Sequence, residues 1–222
     1  MIKVLFIGNS YTFYHDMPKM FENIARENGK EVNAFSVTCG GHKLYQYVND
    51  NDEYTRKIEE LIKTHVFDIC FLQEQSLLPV TNYELFLQGL TGLTNKLSPF
   101  VGKFVLYETW GRKSGCPDLN NLETTNKDMT FNLAKAYNNA SQVVGAQVSH
   151  VGLNFYDVYS KNLQTELYCE DMSHPSYLGS CLAALTHYYT VFGSYPENTL
   201  SISLEDSEKE ILKNTVIKNL SV

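Results

Sequence analysis

Apolar residues occur along this chain in two alternating arrangements, short continuous runs and longer stretches at helical spacing. The first run, Ile2 to Gly8, is apolar and β-branched and ends at a glycine, which predicts a buried central strand. In the stretch from Pro18 to Asn28, apolar residues recur every three or four positions, and Gly29 supplies the stop signal. A strand followed by a helix is therefore the first unit of the fold.

The same alternation repeats through the rest of the chain. Further strands are predicted at Glu31 to Val37, Phe67 to Leu72, Lys103 to Tyr107 and Ala146 to His150. Helices are predicted at Tyr54 to Thr64, Tyr83 to Leu97, Leu122 to Asn139, Leu178 to Phe192 and, as a terminal amphipathic helix, Glu205 to Asn219. This order implies an α/β fold of three α/β/α layers, flavodoxin-like and doubly wound around a mainly parallel five-stranded sheet. The polar segment from Gly111 to Asn121 is the one long loop expected.

Composition adds that the chain suits one globular domain, residues 1–222. The net charge of −7 is made of scattered lysines and arginines among more numerous acids, which excludes the basic footprint of a nucleic-acid partner. The five cysteines and the five histidines other than His174 show no metal-ligand spacing, so neither a metal nor a cofactor is expected. The oligomeric state stays open.

The N-terminal region shows no secretory signal, because the apolar run from Val4 to Gly8 is shorter than an h-region. We therefore expect a cytoplasmic protein, although a signal peptide removed beforehand would leave the same pattern. No apolar stretch approaches the roughly 20 residues that span a bilayer, so no membrane partner is expected.

Candidate chemistry lies after the predicted strands, where open parallel sheets bind their ligands. Four segments stand out: Gly8-Asn9-Ser10-Tyr11-Thr12, Cys39-Gly40-Gly41-His42, Gln73-Glu74-Gln75-Ser76 and Asp171-Met172-Ser173-His174-Pro175. Each segment alone is explained as well by a turn or a helix cap. Together they supply a nucleophile, a base, an orienting carboxylate and oxyanion donors in chain order, which is what acyl transfer requires.

These four segments resemble the sequence blocks of the SGNH (GDSL-like) hydrolase superfamily over nearly the whole chain. The resemblance implies that Ser10 is the nucleophile and that Asp171 and His174 form the DxxH of block V. It also implies an oxyanion hole formed by the backbone N–H groups of Ser10 and Gly40, or of its neighbour Gly41. Block I here reads Gly-Asn-Ser where the family has Gly-Asp-Ser, a change expected to affect only support of the turn.

Block III departs further, because Leu72-Gln73-Glu74-Gln75-Ser76 stands where the family has GxND. This segment is similar to the Gln-Gly-Glu-Ser of the sialate O-acetylesterase-like and acetylxylan-esterase-like branch, which implies Gln73 as the third oxyanion donor. Gly41, Trp110 and Tyr11 are the expected substrate-binding residues, with the aromatic rings stacking on a sugar. A lone tryptophan is more often a core residue, so the stacking role is the weaker interpretation of Trp110.

The sequence thus predicts a serine esterase that hydrolyses a small acyl ester, acetyl being expected, on a carbohydrate through a Ser-His-Asp triad. One alternative is a lipid esterase or thioesterase of the same superfamily, which would need an apolar groove. A second is a non-catalytic binding module that kept the fold. A third, a flavodoxin-like phosphate binder, leaves Asp171 and His174 without a role and lacks the GxxxxGK[ST] pattern.

Overall fold

The computed structural model describes residues 1–161 and 164–219, and one five-stranded sheet runs through that part of the chain. The strands are β1 (Ile2–Gly8), β2 (Val32–Thr38), β3 (Phe67–Leu72), β4 (Val101–Tyr107) and β5 (Gln147–Ser149). They pair in the order β2-β1-β3-β4-β5, and every pairing is parallel. The carboxyl ends therefore meet at one edge of the sheet, as the sequence predicted.

Helices cover both faces of this sheet. They are α1 (Ser10–Phe13), α2 (Met17–Glu27), α3 (Glu53–Thr64), α4 (Leu78–Thr81), α5 (Tyr83–Leu97), α6 (Pro117–Asn121), α7 (Asn126–Val144), α8 (Val151–Lys161), α9 (Tyr177–Phe192) and α10 (Asp206–Asn219). Short 3₁₀ turns occupy Tyr14–Asp16 and Leu44–Val48. None of the helices in the described residues combines the length and the apolar character of a bilayer span.

The two faces of the sheet carry separate hydrophobic cores because side chains alternate along each strand. Phe6 of β1 packs with residues of α2, α8, α9 and α10, whereas its neighbours Leu5 and Ile7 pack with residues of α3, α5 and α7. The predicted three-layer α/β/α fold is confirmed.

Helix α8 is the main element that the sequence prediction missed. It follows β5 almost without a break, and its N-terminus is stabilised by the buried Glu108, whose Oε1 accepts from the N–H of Leu153 at 2.9 Å. Gly152 is required there, because a Cβ atom would lie 2.1 Å from the carbonyl oxygen of Thr109. The capping carboxylate thus comes from another strand's end, 45 residues earlier.

Two further differences lie between β4 and β5. Helix α7 begins at Asn126, not at the predicted Leu122, because Thr125 is its N-cap and accepts from the N–H of Asp128 at 3.1 Å. The segment expected as a polar loop contains α6 and buries both Gly111 and Arg112. This buried stretch contacts the candidate site.

Candidate active site

Ser10 lies on a tight turn between β1 and α1. Asn9 is the N-cap of α1: its Oδ1 accepts from the N–H of Tyr11 at 3.2 Å, and its Nδ2 donates to the carbonyl of His42 at 2.9 Å. The asparagine therefore holds both the turn and the neighbouring Gly40-Gly41 loop. The structure records no hydrogen bond for the backbone N–H of Ser10 among the described residues. That N–H is available as a donor, as expected at the first position of a helix.

Asp171 and His174 share one turn ahead of α9. Oδ1 of Asp171 accepts from the backbone N–H groups of Ser173 at 3.0 Å and His174 at 2.9 Å, and Oδ2 pairs with the Nδ1 of His174. Met172, between them, adopts a left-handed backbone with φ 61°. The carboxylate and the imidazole are thus held in a fixed relation by the backbone of a single turn.

The structure brings all three predicted catalytic residues together. Oγ of Ser10 lies 2.8 Å from Nε2 of His174, across 164 residues of sequence. Burial acts to raise the pKa of Asp171, but the hydrogen bonds from the His174 ring and from two backbone N–H groups outweigh it and lower that pKa. An ionised carboxylate on Nδ1 leaves Nε2 facing the serine hydroxyl, which is the arrangement needed to accept its proton.

Aromatic rings enclose the imidazole of His174. Tyr14 stacks on it with ring centroids 4.5 Å apart and 13° between the planes, and Tyr11 meets it edge-on at 5.4 Å. His15 and Asp16, which follow Tyr14 in the sequence, both adopt a left-handed backbone with φ 53°.

The prediction that Trp110 stacks on a sugar is wrong, because the side chain is not accessible to a ligand. It is fully buried, its ring lies between Tyr11 at 4.5 Å and Phe155 of α8 at 3.9 Å, and its Nε1 donates to the carbonyl of Ser173 at 3.1 Å. The N–H of Lys113 donates to the carbonyl of Met172 at 2.9 Å. The segment after β4 therefore supports the turn that carries Asp171 and His174.

Tyr11 is likewise not a stacking surface for a substrate. Its ring is occupied by Trp110, and its hydroxyl lies 2.7 Å from Oγ of Ser173 and accepts from the guanidinium of Arg112. The residue reaches the cavity wall but acts mainly as a tie between α1 and the catalytic turn.

The side-chain amide of Gln73 is hydrogen-bonded to the nucleophile turn. Its Oε1 accepts from the N–H of Asn9 at 2.8 Å and from the hydroxyl of Thr12 at 2.9 Å, while its Nε2 donates to the carbonyl of Glu74. Gly8 permits this approach, because a Cβ atom there would lie 2.6 Å from the same Oε1. Gln73 is buried and is not among the residues that line the cavity, so the structure does not place its amide where an oxyanion donor is needed.

A small cavity of about 180 Å³ opens at Ser10 and His174. Its other wall residues are Asn9, Tyr11, Gly41, Gln75, Ser76, Arg112 and Ser173. Gly41 therefore reaches the cavity, whereas the predicted donor Gly40 is not part of the wall. Oε1 of Gln75 accepts from the N–H groups of Leu77 and Leu78, each at 3.0 Å, which fixes the orientation of the amide. Among the described residues, no hydrogen-bond partner is recorded for its NH2 group, and Gln75 lines the cavity.

Glu74, between the two glutamines, is a buried carboxyl that joins β3 to the loop after β2. It accepts from the backbone N–H of Gln75 at 2.6 Å and from that of Leu44 at 3.2 Å. Burial raises the pKa of Glu74 from 4.5 to about 8, although both hydrogen bonds and the charge of Lys43 act in the opposite direction. The folded protein therefore favours the protonated form of this group at neutral pH.

We expect Glu74 to make the protein less stable as the pH rises. Because its pKa is higher in the folded than in the unfolded chain, its contribution to stability is complete below pH 4.5 and is lost as the pH rises to about 8. Glu74→Gln should flatten the fall in the free energy of unfolding over that window, measured by urea denaturation. Glu60→Gln, which removes an exposed carboxyl, should keep the wild-type slope. Equal slopes for wild type and Glu74→Gln would contradict this interpretation.

The described residues hold no group of three or more histidine, cysteine, aspartate or glutamate side chains arranged for a metal ion. The pair of His42 Nε2 and Asp52 Oδ2, 3.0 Å apart, belongs to the loop between β2 and α3 and not to the cavity wall.

No protein-family model and no curated protein matches the sequence. Solved structures do match it. A protein from Slackia heliotrinireducens, provisionally described as an SGNH hydrolase, is 27% identical, with a TM-score of 0.74 over 86% of this chain and 98% of its own. A DUF4886 family protein from Bacteroides uniformis is 16% identical, with a TM-score of 0.83 over 99% of this chain and 95% of its own.

An acetylxylan esterase from Geobacillus stearothermophilus is 14% identical, with a TM-score of 0.57 over 92% of this chain and 95% of its own. At that identity the likeness concerns the fold alone. The resemblance to SGNH hydrolases that the motifs indicated is confirmed by these structures, and the chain has the SGNH hydrolase fold.

Proposed function

We infer that this chain is a carboxylic ester hydrolase of the SGNH type, and we propose that it removes a small acyl group, acetyl, from a polar alcohol such as a carbohydrate. The observation that carries the proposal is the continuous set of hydrogen bonds from Ser10 Oγ through the imidazole of His174 to the carboxylate of Asp171. Such a set activates a hydroxyl that is a poor nucleophile on its own.

In the proposed reaction, Ser10 Oγ attacks the ester carbonyl carbon while its proton passes to Nε2 of His174. The tetrahedral intermediate collapses when the C–O bond to the alcohol breaks and the imidazolium returns the proton to the leaving oxygen. Water then attacks the acyl-serine and gives a proton to Nε2 of His174. The bond between the acyl carbon and Ser10 Oγ breaks, the imidazolium returns its proton to Oγ, and the acid leaves. Asp171 stabilises the imidazolium through Nδ1 in both halves of the reaction.

The oxyanion of the tetrahedral intermediate needs donors that converge on one point of the cavity. We assign the backbone N–H groups of Ser10 and Gly41 and the NH2 group of Gln75 to this role. These donors border the same cavity, and the Gln75 amide is oriented by two backbone N–H groups that fix its oxygen. Gln73 supports the same hole indirectly, by holding the N–H of Asn9 and the hydroxyl of Thr12.

The two glutamines should respond differently to alanine substitution. Gln75→Ala should lower kcat by about 10²–10³-fold with KM nearly constant, because the lost contact forms fully only with the oxyanion. Gln73→Ala should instead lower the free energy of unfolding by about 1–3 kcal/mol, because it leaves buried donors without an acceptor. Steady-state kinetics and thermal unfolding of both variants test the assignment. Near-normal kcat in Gln75→Ala would remove this residue from the oxyanion hole.

The size of the cavity favours a short acyl group. Its volume of about 180 Å³ lies below the ~300–1,000 Å³ of pockets that enclose larger ligands, and polar side chains form most of its wall. A lipid esterase or thioesterase needs an apolar groove for its acyl chain.

We therefore expect kcat/KM to fall at least about 10-fold between nitrophenyl acetate and nitrophenyl butanoate, and further with octanoate. Turnover by Ser10→Ala, measured in parallel, gives the background rate. A preference for octanoate would favour the lipid esterase or thioesterase. A folded wild-type protein that neither turns over any ester nor reacts with a serine-directed fluorophosphonate would favour the binding module.

A further inference from the structure

Arg112 places a buried cation in the wall of the cavity that contains Ser10 and His174. The residue is 4% exposed, and it is the one lysine or arginine among the described residues that border this cavity. Arg112 has no role in the proposed acyl transfer or in the proposed oxyanion hole. Burying a cation is unfavourable unless it gains partners, so its position requires an explanation.

The known partners of Arg112 use only part of its hydrogen-bonding capacity. A guanidinium carries five N–H donors. Nε donates to Asp118 at 2.8 Å, Nη2 donates to Oγ of Ser76 at 2.9 Å, and Nη1 donates to the hydroxyl of Tyr11. These three bonds leave one N–H on each terminal nitrogen without a recorded partner in the described part of the chain.

The carboxylates of Asp118 and Asp171 have no recorded hydrogen bond to the terminal nitrogens of Arg112 in the described residues. Asp118 pairs with the Nε side, and its own side chain is 38% exposed to solvent. Asp171 is bonded to the Nδ1 edge of His174 and is not part of the cavity wall. Arg112 therefore contributes a positive charge to the cavity wall beside Ser10, and two of its N–H donors have no recorded partner in the described residues.

We infer that Arg112 binds a carboxylate on the substrate, so that the esters cleaved are those of an acidic alcohol, such as a hydroxy acid or an acidic sugar. The inference rests on the proposed esterase function and specifies its substrate class. Planar guanidinium groups match carboxylates through paired N–H···O bonds. We place the carboxylate on the alcohol part because the proposed acyl group, acetyl, carries no charge.

The test uses two acetylated substrates that differ only in charge, an O-acetylated methyl glucuronoside and the corresponding O-acetylated methyl glucoside. Wild type should prefer the glucuronoside in kcat/KM by about 10-fold to 100-fold, the effect of one charged hydrogen-bonded contact. In Arg112→Gln this ratio should fall to near one. Loss of support for Tyr11 should lower turnover of both substrates in that variant to a similar extent, which leaves the ratio as the measure of the charged contact.

Asp118→Asn provides a second variant that keeps an oxygen acceptor for Nε and removes the competing charge. Its ratio should rise above that of wild type. A wild-type ratio near one, or a ratio unchanged in both variants, would overturn the inference and leave Arg112 as a support for Tyr11.

A binding measurement distinguishes failure of the carboxylate site from failure of the proposed esterase function. Isothermal calorimetry on Ser10→Ala should show that methyl glucuronoside binds more tightly than methyl glucoside, whether or not the wild-type protein turns over an ester. Equal affinities would count against the carboxylate site. Absent turnover combined with retained preference in binding would overturn the esterase function and keep the site.

Discussion

Ser10→Ala should lower kcat by about 10⁶-fold, the loss seen when the nucleophile of a serine hydrolase is removed. The reason is geometric, because the Ser10 hydroxyl lies 2.8 Å from Nε2 of His174 and borders the cavity. Stability should hardly change, since the side chain is only partly buried and makes this one recorded hydrogen bond. Nitrophenyl acetate turnover and thermal unfolding measure the two effects.

Ser173→Ala is the matched control for this experiment. Its hydroxyl borders the same cavity but lies 2.7 Å from the hydroxyl of Tyr11, with no recorded contact to the imidazole. A fluorophosphonate should label wild type and Ser173→Ala on Ser10 and should not label Ser10→Ala, as read by peptide mass spectrometry. An adduct that persists in Ser10→Ala would show that another residue is the nucleophile.

Asp171→Asn should lower kcat by about 10⁴-fold although the turn stays intact. The asparagine oxygen can accept from the N–H groups of Ser173 and His174, as Oδ1 does now. Its NH2 group then faces Nδ1 of the imidazole, which must become an acceptor. The ring proton moves to Nε2, and a protonated Nε2 cannot take the proton of Ser10.

Glu170→Gln removes an exposed charge from the adjacent position and should keep kcat near that of wild type. Because the hydrogen bonds to Asp171 lower its pKa, the carboxylate stays ionised well into the acid range, and the contrast between the variants should hold at pH 6 as well as at pH 8. If Asp171→Asn retains more than about a tenth of wild-type kcat, the carboxylate does not control the tautomer as proposed.

The sequence predicted those parts of the fold that depend on local periodicity. The bounds of β3 at Phe67–Leu72 and of α5 at Tyr83–Leu97 coincide with the prediction. Helix α8 was missed because the carboxylate that caps it belongs to Glu108, at the end of another strand. The start of α7 was misplaced although Thr125 and Asp128 carry a recognisable capping pattern, which could have been found.

In the candidate site, too, the residues in local motifs were predicted and those that depend on long-range contacts were not. Ser10, Asp171 and His174 were located because each lies in a short motif, and the sheet brings the motifs to one edge. The burial of Trp110 depends on Phe155 of α8, so missing that helix meant misjudging the tryptophan. Gln73 was assigned as a donor without its hydrogen bond to the N–H of Asn9, a contact across 64 residues that the sequence does not show.

Arg112 was overlooked because it lies in a segment whose polar composition indicated a solvent-exposed loop. The signal available was its position, two residues after Trp110 and just beyond β4 at the edge of the sheet where ligands bind. Its burial follows from tertiary contacts with Tyr11, Ser76 and Asp118, and no local pattern encodes them.

Because Asp171 and His174 lie on the same turn, changes in packing elsewhere in the protein have little effect on their relative position. The base and its carboxylate move as one rigid unit, so strain from heat or from a distant substitution cannot separate them easily. What such strain can alter is their alignment with Ser10, which is carried by a different element. The distance between Ser10 Oγ and His174 Nε2 is therefore one place where the scaffold can tune the rate without altering the catalytic turn itself.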